Sequence, residues 1–188
     1  MHAAIDHGVA ELRPDPARPQ GWTLLVDGVP QSYVDLADPG HLVFPYLTAL
    51  VNVVRQVPPR VLHLGGGGLT MARRLHHRRP AMPASVGSAG FAAAAARVLG
   101  EGGPLAMNLT DVPPPAHSRI QAATVQTAFE TVVLYGDAAV LRGRRAGNLI
   151  LLAGNVPMIK VGKHEKTVRG ADLADFIGGA RPRLDEPA

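Results

Sequence analysis

The sequence predicts an α/β protein: a small N-terminal antiparallel β sheet, then a domain in which strands and helices alternate around a largely parallel sheet. Three observations carry this. Strand-like runs on either side of Asp27-Gly28 form a strong hairpin signal, because Asp-Gly suits the tight turns that join antiparallel strands. Beyond residue 60 the short apolar segments VLHL, PLAMNL, TVVLY and NLILLA alternate with helix-like stretches, the pattern of an α/β fold. The chain of 188 residues is 46% apolar and only 18% charged, which supports one cored domain, or one with a small appendage, and excludes disorder throughout.

The elements follow in order. GVAELR is a first strand, and Pro14, Pro16 and Pro19 then break the chain into a loop. WTLLV is a second strand and QSYVDL a third. Residues 1–38 therefore read as the N-terminal sheet, 39–180 as the second domain and 181–188 as a frayed tail. From about 40 to 56, HLVFPYLTALVNVVRQV places apolar residues at helical spacing, with Pro39 and Pro45 in its first turns and Pro58-Pro59 as its stop. VLHL is short, apolar and glycine-terminated, as a buried parallel strand should be. Residues 69–78 form a helix with Met71, Ala72 and Leu75 inward, and PAMPASVG is a loop. SAGFAAAAARVL is helical and is ended by Gly100-Glu101-Gly102-Gly103. PLAMNL is a second buried strand. Residues 118–129 form a helix capped by His117 and Ser118. TVVLY and NLILLA are strands close enough to be antiparallel, joined by a loop containing RGRRAG. KVGKHEK is a solvated mixed-charge loop, and 170–178 a last short helix. The expected sheet order is 60–64, then 103–109 parallel to it, then the antiparallel pair 131–136 and 147–153. VLHL would then be an exposed apolar edge, a feature that promotes pairing with another chain, so a homo-oligomer is expected.

Composition removes several function classes. There is no Cys, which excludes disulfides, thiolate zinc sites and Cys nucleophiles. No apolar run reaches the ~18 residues of a membrane span, and the first residues carry no signal-peptide core. The expected compartment is the cytoplasm. Net charge is +4 with His neutral, and the excess crowds into Arg73, Arg74, His76, His77, Arg78 and Arg79. Such a cluster can attract phosphate or nucleic acid, against the plainer reading of a solvated helix face. Aromatics are 4% of the chain, leaving few platforms for base stacking, so nucleic acid is not the favoured partner. His76-His77 lack metal-ligand spacing and no metal site is expected. His63 reads as a core or sheet-edge residue, and Asp137 as a surface partner of Arg142, a contact of small energy.

The segment VLHLGGGGLTMARRLHHRRP carries the main functional signal. Glycines let the backbone approach a ligand closely, and the helix that follows offers unpaired N–H groups and a partial positive charge. An adenosine site also needs an acid about 20 residues on to hold the ribose hydroxyls. No Asp or Glu occurs between Asp38 and Glu101.

Several segments together resemble spermidine synthases and the shorter spermidine synthase-like proteins of bacteria. LLVDGVPQSYVDL matches the family's β hairpin, DPGHLVFPYLTAL the start of its first helix, RVLHLGGGGLTMARRL its adenosyl-binding strand, loop and helix, and RVLGEGGPLAMNLTD its late helix–Gly-Gly–strand unit. The resemblance covers roughly residues 8–155. It implies a shortened methyltransferase-like Rossmann domain behind the N-terminal sheet, and a transferase of polyamine biosynthesis that passes an aminopropyl group from decarboxylated S-adenosylmethionine to an amine. It places Gly65, Gly66, Gly67 and Gly68 under the adenosyl ligand, Gln31 near the thioadenosine moiety and Tyr46 near the polyamine. Decarboxylated S-adenosylmethionine or methylthioadenosine would be the ligand.

The sequence departs from that pattern where chemistry is done. The family's ribose-binding acid, its Gly-Asp-Ala segment near the adenine and its Asp-rich catalytic loop have no counterpart. The His and Glu expected after Tyr46 are Leu47 and Thr48. The chain passes from RRLHHRRP almost directly into SAGFAAAAARVL, as though the middle strands were deleted. Asp111 is read as the only acid at the C-terminal end of a parallel strand, where sites in such sheets lie, and so is the one catalytic candidate; its ordinary role would be a cap. The reading is an aminopropyltransferase relative that is impaired or inactive. The alternatives are a non-catalytic protein pairing through sheet edges, or an anion or nucleic-acid binder using Arg73, Arg74, Arg78 and Arg79.

Overall fold

The structure is a computed structural model. It describes residues 1–5, 8–56 and 87–185, which fall into two compact units, one within Met1–Val51 and one made of 52–56 and 87–185. VLHL, the glycine loop, the helix expected at 69–78 and the basic cluster lie outside the described residues. So do the expected pairing of 60–64 with 103–109 and the apolar edge that it would leave.

The first unit is built on a four-stranded antiparallel sheet in sequential order: β1 (His2–Ile5), β2 (Gly8–Asp15), β3 (Arg18–Val26) and β4 (Val29–Asp35). β1 adds a strand to the three expected. Asp27 and Gly28 take positive φ, 49° and 78°, the backbone a two-residue hairpin turn demands, and Val26 pairs with Val29 across it. The three prolines do not open a loop. Pro14 and Pro19 lie inside strands, because the register shifts after Pro14 and only Pro16 and Ala17 are left to turn the chain. A bulge absorbs the missing N–H donors. Leu25 and Tyr33 are buried in this unit. The Tyr33 hydroxyl donates to Asp15 Oδ2 at 2.8 Å, and burial followed by that bond pushes its pKa up to about 12. Arg18 Nε donates to buried Asp35, which also accepts the Ala37 and Asp38 amides at 2.9 and 3.0 Å and so fixes the exit from β4.

Helix α1 (Pro45–Val54) starts about five residues later than its apolar spacing suggests. Pro45 is its first residue, a position where the missing N–H costs nothing. The boundary between the units falls inside α1, after Val51, further along than residue 38.

The second unit alternates helix and strand: α2 (Ala89–Leu99), β5 (Pro104–Asp111), α3 (Ala116–Val125), β6 (Val132–Asp137), α4 (Ala138–Leu141), β7 (Gly147–Gly154), β8 (Glu165–Arg169) and α5 (Ala171–Ile177). Ser88 caps α2, its Oγ accepting the Phe91 amide at 3.1 Å, and Gly100 closes it at φ 61°. The sheet order is β5-β7-β6-β8, and every described pair is antiparallel. This corrects the largely parallel sheet and the order read from sequence. The short link through α4 returns β7 antiparallel beside β6, and β7 then fills the slot next to β5. Since β5 and β6 are both antiparallel to β7, they run in the same direction, as a strand–helix–strand unit through α3 requires. β7 is the central strand: Leu149, Ile150, Leu151, Leu152 and Ala153 are all at most 1% exposed, the unbroken apolar run of a strand covered on both faces.

Two further expectations are corrected here. Part of KVGKHEK belongs to β8, which pairs Asp137 with Glu165 through to Val133 with Arg169; alternating half-buried Glu165, Thr167 and exposed Lys166, Arg169 suit an edge strand that carries its charges outward. The tail is docked through Asp185 rather than frayed. The Arg183 amide donates to Thr124 Oγ1 at 2.8 Å, the Ala89 amide donates to the Arg183 carbonyl at 2.9 Å, and Asp185 accepts Ser88 Oγ at 2.6 Å and the Gly90 amide at 2.8 Å. The Ser88 bond first and the Gly90 bond second hold the Asp185 carboxyl below its ordinary 3.8. The contribution of Asp185 to the docking is therefore full above that pH and is lost as pH falls through the depressed value. The protection of the Gly90 amide, its exchange rate taken against the intrinsic rate at the same pH, should fall on acidification below about pH 4, and Asp185→Ala should show the lowered protection at pH 7; protection at Gly90 unchanged by the substitution would contradict the assignment.

Candidate functional site

The carboxyl ends of β5 and β6 share one edge of the sheet, since the two strands run in the same direction and Asp111 and Asp137 are their last residues. That edge is where ligands bind in open α/β sheets. Asp111 is 7% exposed. One of its oxygens accepts the Val112 amide at 3.0 Å and the other the Ser118 amide at 2.7 Å, so the carboxylate ties the end of β5 to the first turn of α3. This turn begins at Ala116 after Pro115, which corrects the expected start at 118, and Ser118 is a fully buried member of the helix rather than its cap.

Asp137 is a second acid at this edge, missed in the sequence because the strand order hid the shared direction of β5 and β6. Its Oδ1 accepts the Ala139 amide at 2.7 Å and begins α4, and its Oδ2 meets Arg145 at 2.9 Å. The partner is Arg145, not Arg142. The Arg145 bond, then the Ala139 bond, hold its carboxyl below the usual range. Both acids thus spend their oxygens on the backbone or on Arg145. A general base needs an acceptor turned to the substrate's proton, and the contacts of these two are structural.

Gln31 and Tyr46 lie in the first unit. Gln31 is exposed on β4 and donates from Nε2 to the Val29 carbonyl at 3.3 Å. Tyr46 is half-buried in the first turn of α1, its ring 5.8 Å from that of Phe44, and burial raises its pKa. Gly65, Gly66, Gly67 and Gly68 lie outside the described residues. Among the described residues no group of three or more His, Asp or Glu could hold a metal ion, and no helix is long and apolar enough to cross a membrane.

A small antiparallel sheet followed by a strand–helix–strand unit whose codirectional strands flank an antiparallel one defines the class: an α/β protein with a shortened methyltransferase-like fold. Among solved structures the chain is similar to a probable spermidine synthase from Corynebacterium glutamicum ATCC 13032, with a TM-score of 0.83 over 100% of this chain and 97% of that one, at 20% sequence identity. No protein-family model matches the sequence, and no curated protein matches it. The likeness is one of fold.

Proposed function

We propose that the chain is a spermidine synthase-like protein of the aminopropyltransferase kind whose transfer chemistry is impaired or lost. The fold shared with a probable spermidine synthase supports the first half of this reading. The observation that carries the second half is the absence of any Asp or Glu between Asp38 and Glu101, the stretch that resembles the family's adenosyl-binding strand, loop and helix. A ribose without a carboxylate, and an amine without a base, leave half a site: glycines that can accommodate an adenosyl group, with Gln31 near the thioadenosine and Tyr46 near the amine.

Calorimetric titration with methylthioadenosine tests this. Loss of hydrogen bonds from the ribose hydroxyls to a charged acceptor costs about 1.5–3 kcal/mol, or roughly 10- to 150-fold in affinity. Weak binding, in the upper micromolar range or beyond, is expected, reduced further in Gly66→Val. Tight binding would show that an acid from elsewhere completes the site.

A further inference from the structure

The geometry points to a second binding site, for an oligophosphate, in a basic basin of the second unit, where the start of α4 meets the segment before β8. The basin has a volume of about 360 Å³ and its lining includes the start of α4 (Asp137 to Ala139), Arg142, Arg145, Lys163, His164 and Lys166. It lies within one unit and shares Asp137 with the carboxyl edge of the sheet, but involves none of Gln31, Tyr46 and the glycines that the proposed function uses.

Its frame is set by backbone bonds. The Ala138 amide donates to the His164 carbonyl at 2.9 Å, joining the start of α4 to the segment before β8. The Gly162 amide donates to Glu165 Oε2 at 2.8 Å and the Glu165 amide to the Gly162 carbonyl at 3.1 Å, closing the turn that carries Lys163 and His164. On the other side the Gly143 and Arg144 amides donate to the Val140 and Ala139 carbonyls at 2.9 and 2.8 Å, so the chain leaving α4 is held as well. The cations are long and exposed, but their stems start from fixed points around one hollow.

Charge then selects the occupant. Among the described residues Asp137 is the only carboxylate lining the basin, and it is matched by Arg145 and by the amides that begin α4. Arg142, Lys163 and Lys166 remain, and among the described residues none of them makes an ion pair. Like charges gathered in one hollow repel one another until an anion enters, and an anion carrying several charges on linked oxygens gains from all of them at once. Two or three linked phosphates carry the matching negative charge. Among the described residues no Phe, Tyr or Trp lines the basin and His164 is its one ring, so it offers little stacking surface for a base; the phosphates themselves are what it can recognise.

The test uses the full chain and calorimetry with pyrophosphate, tripolyphosphate and ATP at matched ionic strength, with sulfate for comparison. One-to-one binding of pyrophosphate or tripolyphosphate, tighter than sulfate, is expected. The triple variant Arg142→Gln, Lys163→Gln, Lys166→Gln should weaken it by roughly 10- to 100-fold, as befits three exposed charge contacts, while Arg97→Gln should leave it unchanged. ATP binding as tightly as tripolyphosphate would mean that only the phosphate chain is read, and tighter binding that the nucleoside adds contacts. Thermal unfolding without ligand confirms that the variants fold. Absence of one-to-one binding, affinity no tighter than that of sulfate, or equal affinity in the triple variant would overturn the proposal.

Discussion

Incubated with decarboxylated S-adenosylmethionine and putrescine, the purified chain should release no spermidine above the uncatalysed background. The expectation follows from what each missing group would contribute. The ribose acid is worth about 1.5–3 kcal/mol as a charged acceptor. The base that deprotonates and orients the amine is worth roughly 10²–10⁴ in rate. Their joint absence removes on the order of 10³–10⁶ from transfer efficiency. Electrostatics works in the same direction: both substrates are cationic, while Arg73, Arg74, Arg78 and Arg79 follow the glycine loop in the sequence. Asp111 and Asp137, the acids at the carboxyl ends of β5 and β6, are occupied by the Val112, Ser118 and Ala139 amides and by Arg145. Product detected by mass spectrometry and abolished by Asp111→Asn would show that Asp111 has taken the catalytic role. Product that survives Asp111→Asn and scales with the square of protein concentration would point to an acid supplied by a second copy.

The elements that were legible in the sequence are those whose signal is local. Asp27-Gly28 specifies its own turn through backbone φ, Ser88 and Gly100 bound α2 through capping, and NLILLA declares a strand because Leu149 to Ala153 are all apolar. What was not legible depended on partners distant in sequence. Nothing in PLAMNL or TVVLY says that β7 will lie between them, and with that order hidden, Asp137 could not be placed beside Asp111 at one edge. KVGKHEK looks like loop because its charges are dense; β6 supplies the hydrogen bonds that make Glu165–Arg169, which begins within it, a strand. The tail looked frayed because its anchors, Ser88, Gly90 and Thr124, are far away along the chain. The basin was missed for the same reason: Arg142 and Lys163 lie on separate segments, brought together only when β8 pairs with β6.

Leu151→Ala should be among the most destabilising single substitutions in the second unit. Leu151 is fully buried at the middle of β7, paired with Met107 of β5 on one side and Leu134 of β6 on the other. It belongs to the core shared by Leu109, Val125, Leu134, Leu149 and Leu173, to which the sheet and helices α2 to α5 all contribute. Truncation removes buried methyl groups and leaves a cavity, and the central strand, hydrogen-bonded on both edges, has little freedom to collapse into it. Such sites lie at the costly end of the range, about 3–5 kcal/mol, against a total stability of about 5–15 kcal/mol for a typical protein. At about 2–4 °C per kcal/mol for a chain of this size, the melting temperature should fall by roughly 6–20 °C. Met158→Ala, at a residue 85% exposed, should change stability by no more than about 0.5 kcal/mol. The measurement is far-UV circular dichroism on heating and in urea, because the single Trp, Trp22, lies in β3 of the other unit. Equal midpoints for Leu151→Ala and Met158→Ala would mean that β7 is not the buried centre of its sheet, and the order β5-β7-β6-β8 would fall with it.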